Sequence, residues 1–155
     1  MTDKTKQKYG EKVVCKRPEA LAVCFQIVNI DIGHGEVKQQ INVDFCGWNN
    51  GQVDYSVKKT VRLNSGEIAM LIGCLLGYQA KSGAGHRESG LWLAFNTKEG
   101  DRFINLFQDK NQLNYIKLTN AERFQIYSLC LDALRKENQS SDDVMTEVKC
   151  FFGIA

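Results

Sequence analysis

Polar and apolar residues alternate along two stretches of the chain, and each stretch gives way to a helical pattern. Val37, Ile41, Val43 and Phe45 fall on one face, with Lys38, Gln40, Asn42 and Asp44 on the other. From Val53 to Leu63 the alternation recurs: Val53, Tyr55, Val57, Val61 and Leu63 against Asp54, Ser56, Lys58, Thr60 and Arg62. A period of two predicts half-buried strands. Trp48-Asn49-Asn50-Gly51 lies between them, and its Asn-Gly pair predicts a hairpin turn. Leu21 to Ile32 is a further apolar, β-branched strand candidate ending in Gly33-His34-Gly35. The period then lengthens. Ile68, Leu71, Ile72 and Leu75 have helical spacing and predict helix one over 65–79.

The second part of the chain repeats this order in shorter form. Leu91 to Thr97 and Arg102 to Gln108 read as strands about the turn Glu99-Gly100-Asp101. Asn111 to Asn114 turns into Tyr115 to Leu118, and helix two runs over 120–136 on a stripe of Phe124, Tyr127, Leu131 and Leu134. The junctions are alike. Val61-Arg62-Leu63-Asn64-Ser65-Gly66-Glu67 matches Ile116-Lys117-Leu118-Thr119-Asn120-Ala121-Glu122. In each, a short polar residue stands three before a Glu, the spacing of a capping box. Asn64 with Glu67, and Thr119 with Glu122, are thus read as structural helix caps. A strand running directly into a capped helix, twice, marks an internal repeat. The fold class expected is α+β, a duplicated strand-strand-strand-(strand)-helix module with antiparallel sheets and helices on one face.

The organisation expected is a flexible basic arm over 1–19, a two-repeat domain over 20–136, and a C-terminal tail over 137–155. The domain divides into a first half, 20–80, and a second half, 89–136, joined by a Gly-rich connector over 81–90. The tail begins acidic at Asp142-Asp143 and ends on Phe151 and Phe152, a candidate contact for a partner protein.

A chain of 155 residues suits one domain. Net charge is only +2, so any nucleic-acid site must come from local clustering. No apolar run approaches membrane-spanning length, and no apolar signal region opens the chain. The six cysteines form no C-x-x-C or C-x-x-H, so buried thiols are expected, with no metal and no disulfide framework. The compartment expected is a reducing cytoplasm, in a bacterial cell or a phage-infected host. Neither His34 nor His86 belongs to a catalytic motif, and Gly83-x-Gly85 with Gly90 is not a dinucleotide fingerprint. No enzyme and no cofactor is expected.

With apolar residues turned inward, the free faces carry cations, amides and isolated aromatics. Cations track phosphates and flat rings stack on unpaired bases, so such faces suit single strands. The candidate binding residues are Lys38, Trp48, Lys58, Lys59, Arg62, Trp92, Arg102, Tyr115 and Lys117. The strand over 102–108 has two readings: either Ile104 and Leu106 are core, or Phe103 and Phe107 are.

The stretch Ile41 to Leu75 resembles the single-stranded-DNA-binding domain of transcriptional positive cofactor four. Trp48 falls at that family's aromatic corner, and Lys58-Lys59-Thr60-Val61-Arg62-Leu63-Asn64 on its basic strand and cap, with Thr60 where the usual pattern has Gly. Two copies in one chain resemble the Whirly proteins, without the Lys-Gly-Lys-Ala-Ala-Leu signature of the plant members. The resemblance implies a divergent, phage or bacterial protein that binds single-stranded DNA with low sequence preference, in replication, recombination or transcription. RNA in place of DNA, a homo-oligomer, and a protein-interaction or transcription-regulatory module stay open at this point.

Overall fold

The computed structural model describes residues 7–33, 35–86 and 89–138. Four strands come first: β1 (Gln7–Arg17), β2 (Leu21–Gly33), β3 (Glu36–Asn49) and β4 (Gln52–Leu63). Helix α1 (Ser65–Leu76) follows, then β5 (Lys81–His86), β6 (Leu91–Lys98), β7 (Asp101–Gln108), β8 (Asn111–Lys117) and α2 (Asn120–Asn138). Each set of strands forms a four-stranded antiparallel meander, in the order β1-β2-β3-β4 and β5-β6-β7-β8. The expected α+β fold with two strand-helix modules is therefore present.

Two segments differ from their sequence reading. Most of the expected arm is strand β1. Lys12 and Lys16 stand on one side of it and Val13 and Cys15 on the other, with Cys15 fully buried. The expected connector over 81–90 contains strand β5, in which Ala84 points into the core while Gly83 and Gly85 lie on the opposite face. Each half therefore has four strands.

Tight turns set the registers. Asn50 and Gly51, Glu99 and Gly100, and Asp109 and Lys110 all have positive φ at both central positions of two-residue hairpins. That is the turn whose twist matches the flanking strands. β8 consequently starts at Asn111, earlier than its polar residues suggested. Between β3 and β4 a wide bulge intervenes: Cys46 pairs with Lys58 but Gly47 with Asp54. Tyr55 and Val57 lose their places on the core face and are exposed.

Both helices start at complete capping boxes. Glu67 N–H donates to Asn64 Oδ1 at 2.9 Å and Asn64 N–H to Glu67 Oε1 at 3.0 Å. At α2, Glu122 N–H donates to Thr119 Oγ1 at 3.1 Å and Thr119 N–H to Glu122 Oε1 at 2.9 Å. Helix α1 stops before residue 79 because Gly77 takes the left-handed conformation, φ 82°, and turns its N–H back to Cys74.

The helices cross between the halves. Helix α1 packs on β5 and β6 of the second sheet as well as on β3 and β4, while α2 packs on β1, β2 and β3 of the first and against α1. One continuous core results, with Phe25, Ile27, Ile41 and Leu63 from one sheet and Leu93, Phe95, Ile104 and Leu106 from the other. The buried residues of α2 are Ile126, Leu129, Cys130, Leu131, Ala133 and Leu134, with Tyr127 packed against the core; of the expected stripe only Phe124, 70% exposed, lies outside it. Phe124 stands in the first turns of α2, at the edge of that stripe. Cys15, Cys24, Cys46, Cys74 and Cys130 are free and buried. Cys150, Phe151 and Phe152, with the rest of the tail after Asn138, lie outside the described residues.

Candidate nucleic-acid interface

Each sheet buries one face against the helices and turns the other outward, and the two outer faces differ in chemistry. On the first sheet, Lys12 pairs with Gln26, Gln26 with Asn42, and Asn42 with Arg62. Two residues along, Val14, Cys24, Asp44 and Thr60 form the next row, and Lys16, Ala22, Cys46 and Lys58 the one after. Cations thus line both edge strands, with short side chains between. Lys12, Lys16 and Lys58 are exposed, and Arg62 is half-buried. Arg62 Nε donates to Asn42 Oδ1 at 2.9 Å. Asp44 accepts from the Thr60 hydroxyl and lies 3.9 Å from Lys58 Nζ. Thr60 therefore holds a carboxylate on this face. Lys12 Nζ stands 5.4 Å over the ring of Tyr55, within cation–π reach. Burial, then the Asp44 charge, raises the thiol of Cys46 to about 11 and pushes Cys24 up as well. Both are neutral at physiological pH and act as small apolar groups.

The outer face of the second sheet is aromatic and amide-rich. Trp92 pairs with Phe107, Asn96 with Phe103, and Asn105 with Tyr115. Trp92 is 49% exposed and Tyr115 58%, while Phe103 and Phe107 are half-buried beside them. The two readings of strand β7 are thereby resolved: Ile104 and Leu106 are core. Between the rings, Gln112 Nε2 donates to Asn105 Oδ1 at 3.2 Å and Asn105 Nδ2 to Asn96 Oδ1 at 2.6 Å. At one corner Lys117 Nζ lies 3.2 Å from Asp101.

A groove of about 410 Å³ joins the sheets, lined by Leu21, Phe45, Val57, Lys58 and Lys59 from the first and Asn114 from the second. Lys58 and Lys59 cannot share a face, being adjacent in a strand. Lys58 stands on the outer face. Lys59 Nζ reaches across to Gln108 Oε1 at 3.3 Å, linking the two sheets.

The remaining candidates are placed differently. Lys38 is exposed on the outer side of β3, opposite Ile30 and beyond the end of β4. Trp48 is half-buried near the β3–β4 turn, and its Nε1 is enclosed without a hydrogen-bond partner among the described residues. Arg102 is corrected outright. It is 8% exposed, and its guanidinium donates to Leu75 O at 3.2 Å and Gly100 O at 2.7 Å. Burial and the nearby Arg123 oppose its charge, and the carbonyl end of α1 supports it. It closes a helix end and is not an outer-face cation. The sequence left the facing of this strand open; with Ile104 and Leu106 inward, strand alternation puts Arg102 on their face.

Lys12, Lys16, Tyr55, Phe103 and Phe107 join the outer faces without having been among the candidates. The lysines were hidden by the arm reading and Tyr55 by the bulge. Only the Phe pair carried a signal, the unresolved alternation of β7. Among the described residues no cluster of His, Cys, Asp and Glu could hold a metal, and no helix is long and apolar enough to cross a membrane.

No family model and no curated protein matches the sequence. The crystal structure of Trypanosoma brucei MRP1/MRP2 is similar, with a TM-score of 0.57 at 11% sequence identity, over 83% of this chain and 84% of that one. At that identity the likeness is one of fold: the chain shares with MRP1/MRP2 an architecture of antiparallel four-stranded sheets and packed helices.

Proposed function

We propose that this chain is a non-enzymatic protein that binds single-stranded nucleic acid, DNA in the first instance, across the outer faces of its two sheets. The observation that carries the reading is the second sheet's face, where Trp92, Phe107, Phe103 and Tyr115 stand on adjacent strands and point away from the core. Aromatic side chains at cross-strand spacing offer successive stacking surfaces to unpaired bases. The cation-lined first sheet supplies phosphate contacts, and the groove at Lys58, Lys59 and Asn114 gives a strand passage between the two.

Low sequence preference is expected of a face built on rings. Asn105 accepts from Gln112 at its oxygen and donates one N–H to Asn96, which ties the amides between the rings to one another. A π-face accepts any base, whereas sequence is read by hydrogen bonds to base edges. A role in replication, recombination or transcription, in a reducing cytoplasm of bacterial or phage-infected cells, fits this activity and the free, buried thiols.

The test is binding of length-matched single-stranded DNA, RNA and duplex DNA at two or more salt concentrations. Single strands are expected to bind more tightly than duplex, with a log–log salt slope of about −0.7 per phosphate contacted. Equal or tighter duplex binding would overturn the reading, and a preference for RNA would move the substrate from DNA to RNA.

A second measurement addresses the rings. Oligo(dT) is expected to quench tryptophan fluorescence, and Trp92→Ala to weaken binding by roughly 1–3 kcal/mol. Because Trp92 is half-exposed on the outer face, the variant should keep a cooperative melt. Normal binding by a folded Trp92→Ala would remove this ring from the interface.

A further inference from the structure

We infer that Gly83 and Gly85 are positioning residues which lay Trp92 flat as a one-sided stacking platform. This rests on the single-strand reading above and concerns how the ring is held. In β5 the outward positions are Lys81, Gly83 and Gly85; Gly85 pairs with Trp92 and Gly83 with Ala94. A Cβ on Gly85 would stand 2.2 Å from Trp92 Cε3 and 2.9 Å from Cζ3. A Cβ on Gly83 would stand 2.7 Å from Cζ2 and 2.9 Å from Cε2. The opposite edges of the six-membered ring therefore sit over the two glycines, and the indole lies along the bare backbone of the edge strand. Any side chain at either position would lift or tilt it.

The geometry has a consequence for binding. One side of the indole is occupied by β5, yet the residue is 49% exposed, so the open side faces outward. The ring accepts one base on that side and is already fixed in orientation. Ordering a free side chain on binding costs affinity, and a ring held in place beforehand avoids that loss. An aromatic ring over a glycine also shields the edge backbone and stabilises the strand. The two roles are separable, because strand stability is read by melting and platform orientation by the ring and the ligand.

Gly85→Ala is the cleaner substitution. Its new methyl meets ring atoms first and Leu91 O only at 3.2 Å, whereas one at Gly83 also meets Leu93 O at 2.7 Å and would displace the strand itself. Full-length Gly85→Ala is expected to melt cooperatively and to show altered acrylamide quenching of Trp92, with Trp92→Ala as the blank for Trp48. Its affinity for oligo(dT) should fall by about ten-fold, within the range for one stacked base. On the Trp92→Ala background the same change should have no further effect on affinity. Unaltered quenching in the free protein would overturn the inference whether or not the chain binds nucleic acid. So would wild-type affinity in Gly85→Ala while Trp92→Ala is weakened, or a further loss on the Trp92→Ala background. If wild-type chain fails to bind oligo(dT) while quenching responds to Gly85→Ala, positioning stands and the nucleic-acid reading falls. If Gly85→Ala does not fold, Trp92→Phe with and without Gly85→Ala replaces it, the smaller ring easing the contact. Equal oligo(dT) affinity of that pair would then overturn the inference, and weaker binding of the double variant would support it.

Discussion

Cut between Gly77 and Lys81 and produced as two separate chains, the halves are each expected to be unfolded, and to recover cooperative structure only when combined. Although the sequence repeats a module, the helices are not confined to their own strands. Helix α1 covers β5 and β6, and α2 covers β1, β2 and β3. Separation would uncover the core faces of both sheets, including Phe25, Ile27 and Ile41 on one and Leu93, Phe95 and Leu106 on the other. Each large apolar side chain returned to water forfeits about 1.5–3 kcal/mol. Together the six named would forfeit about 9–18 kcal/mol, as much as the roughly 5–15 kcal/mol by which a whole domain is stable. Circular dichroism and thermal melting of each half, alone and mixed, check this. A cooperative melt of either half alone, near that of the intact chain, would show that the module is self-sufficient.

The second large effect is expected at Glu122. Its carboxylate closes the capping box of α2 and also accepts both ends of the Arg17 guanidinium, from Nη1 at 2.9 Å and Nη2 at 2.7 Å. Arg17 Nη2 further donates to Lys117 O at 2.7 Å, so one side chain of β1 ties α2 and β8 together. Burial alone would raise the pKa of Glu122. Hydrogen bonds from Arg17, the Thr119 N–H and the Cys15 thiol outweigh it and bring the value from 4.5 down to about 2. A carboxylate depressed on folding contributes stability that is complete above its unfolded value and is lost as pH falls through its folded one. The window here runs from about pH 4.5 down to about pH 2. The full linkage would be about 3 kcal/mol. Arg17 remains about one-third exposed, and water screens the pair, so about 2 kcal/mol is expected. Glu122→Gln should therefore destabilise at pH 7 by that amount, with the gap to wild type closing towards pH 2. Arg17→Ala and Glu122→Gln should be non-additive, since they remove the same contact. A variant as stable as wild type at pH 7, or a gap that does not depend on pH, would show that the pair does no more than an ordinary surface contact.

Both results turn on tertiary contacts that the sequence does not announce, and the way particular elements were legible makes the reason plain. The capped strand-to-helix junctions at Asn64 and Thr119 could be read because a capping box is local: every atom it needs lies within four residues. The Asn50-Gly51 turn and the alternation of β3 are likewise local, and together they set the fold class and the repeat. The outward sides of Lys58, Arg62, Trp92, Tyr115 and Lys117 followed from the same period-two rule.

What only the tertiary structure decided was non-local. Strand β1 had the composition of a tail, and became a strand because Cys15 and Val13 find the core and Arg17 finds Glu122. Strand β5 had the composition of a linker. Its glycines, which lower strand propensity, are required because an indole from the next strand occupies the space of their side chains. Arg102 changed from a surface cation to a buried one because a helix end with free carbonyls happens to lie beneath it. The packing of helices across the halves has no signature in either repeat. Hydrophobic period fixes which side of an element is buried, but which neighbour buries it depends on how the whole chain packs.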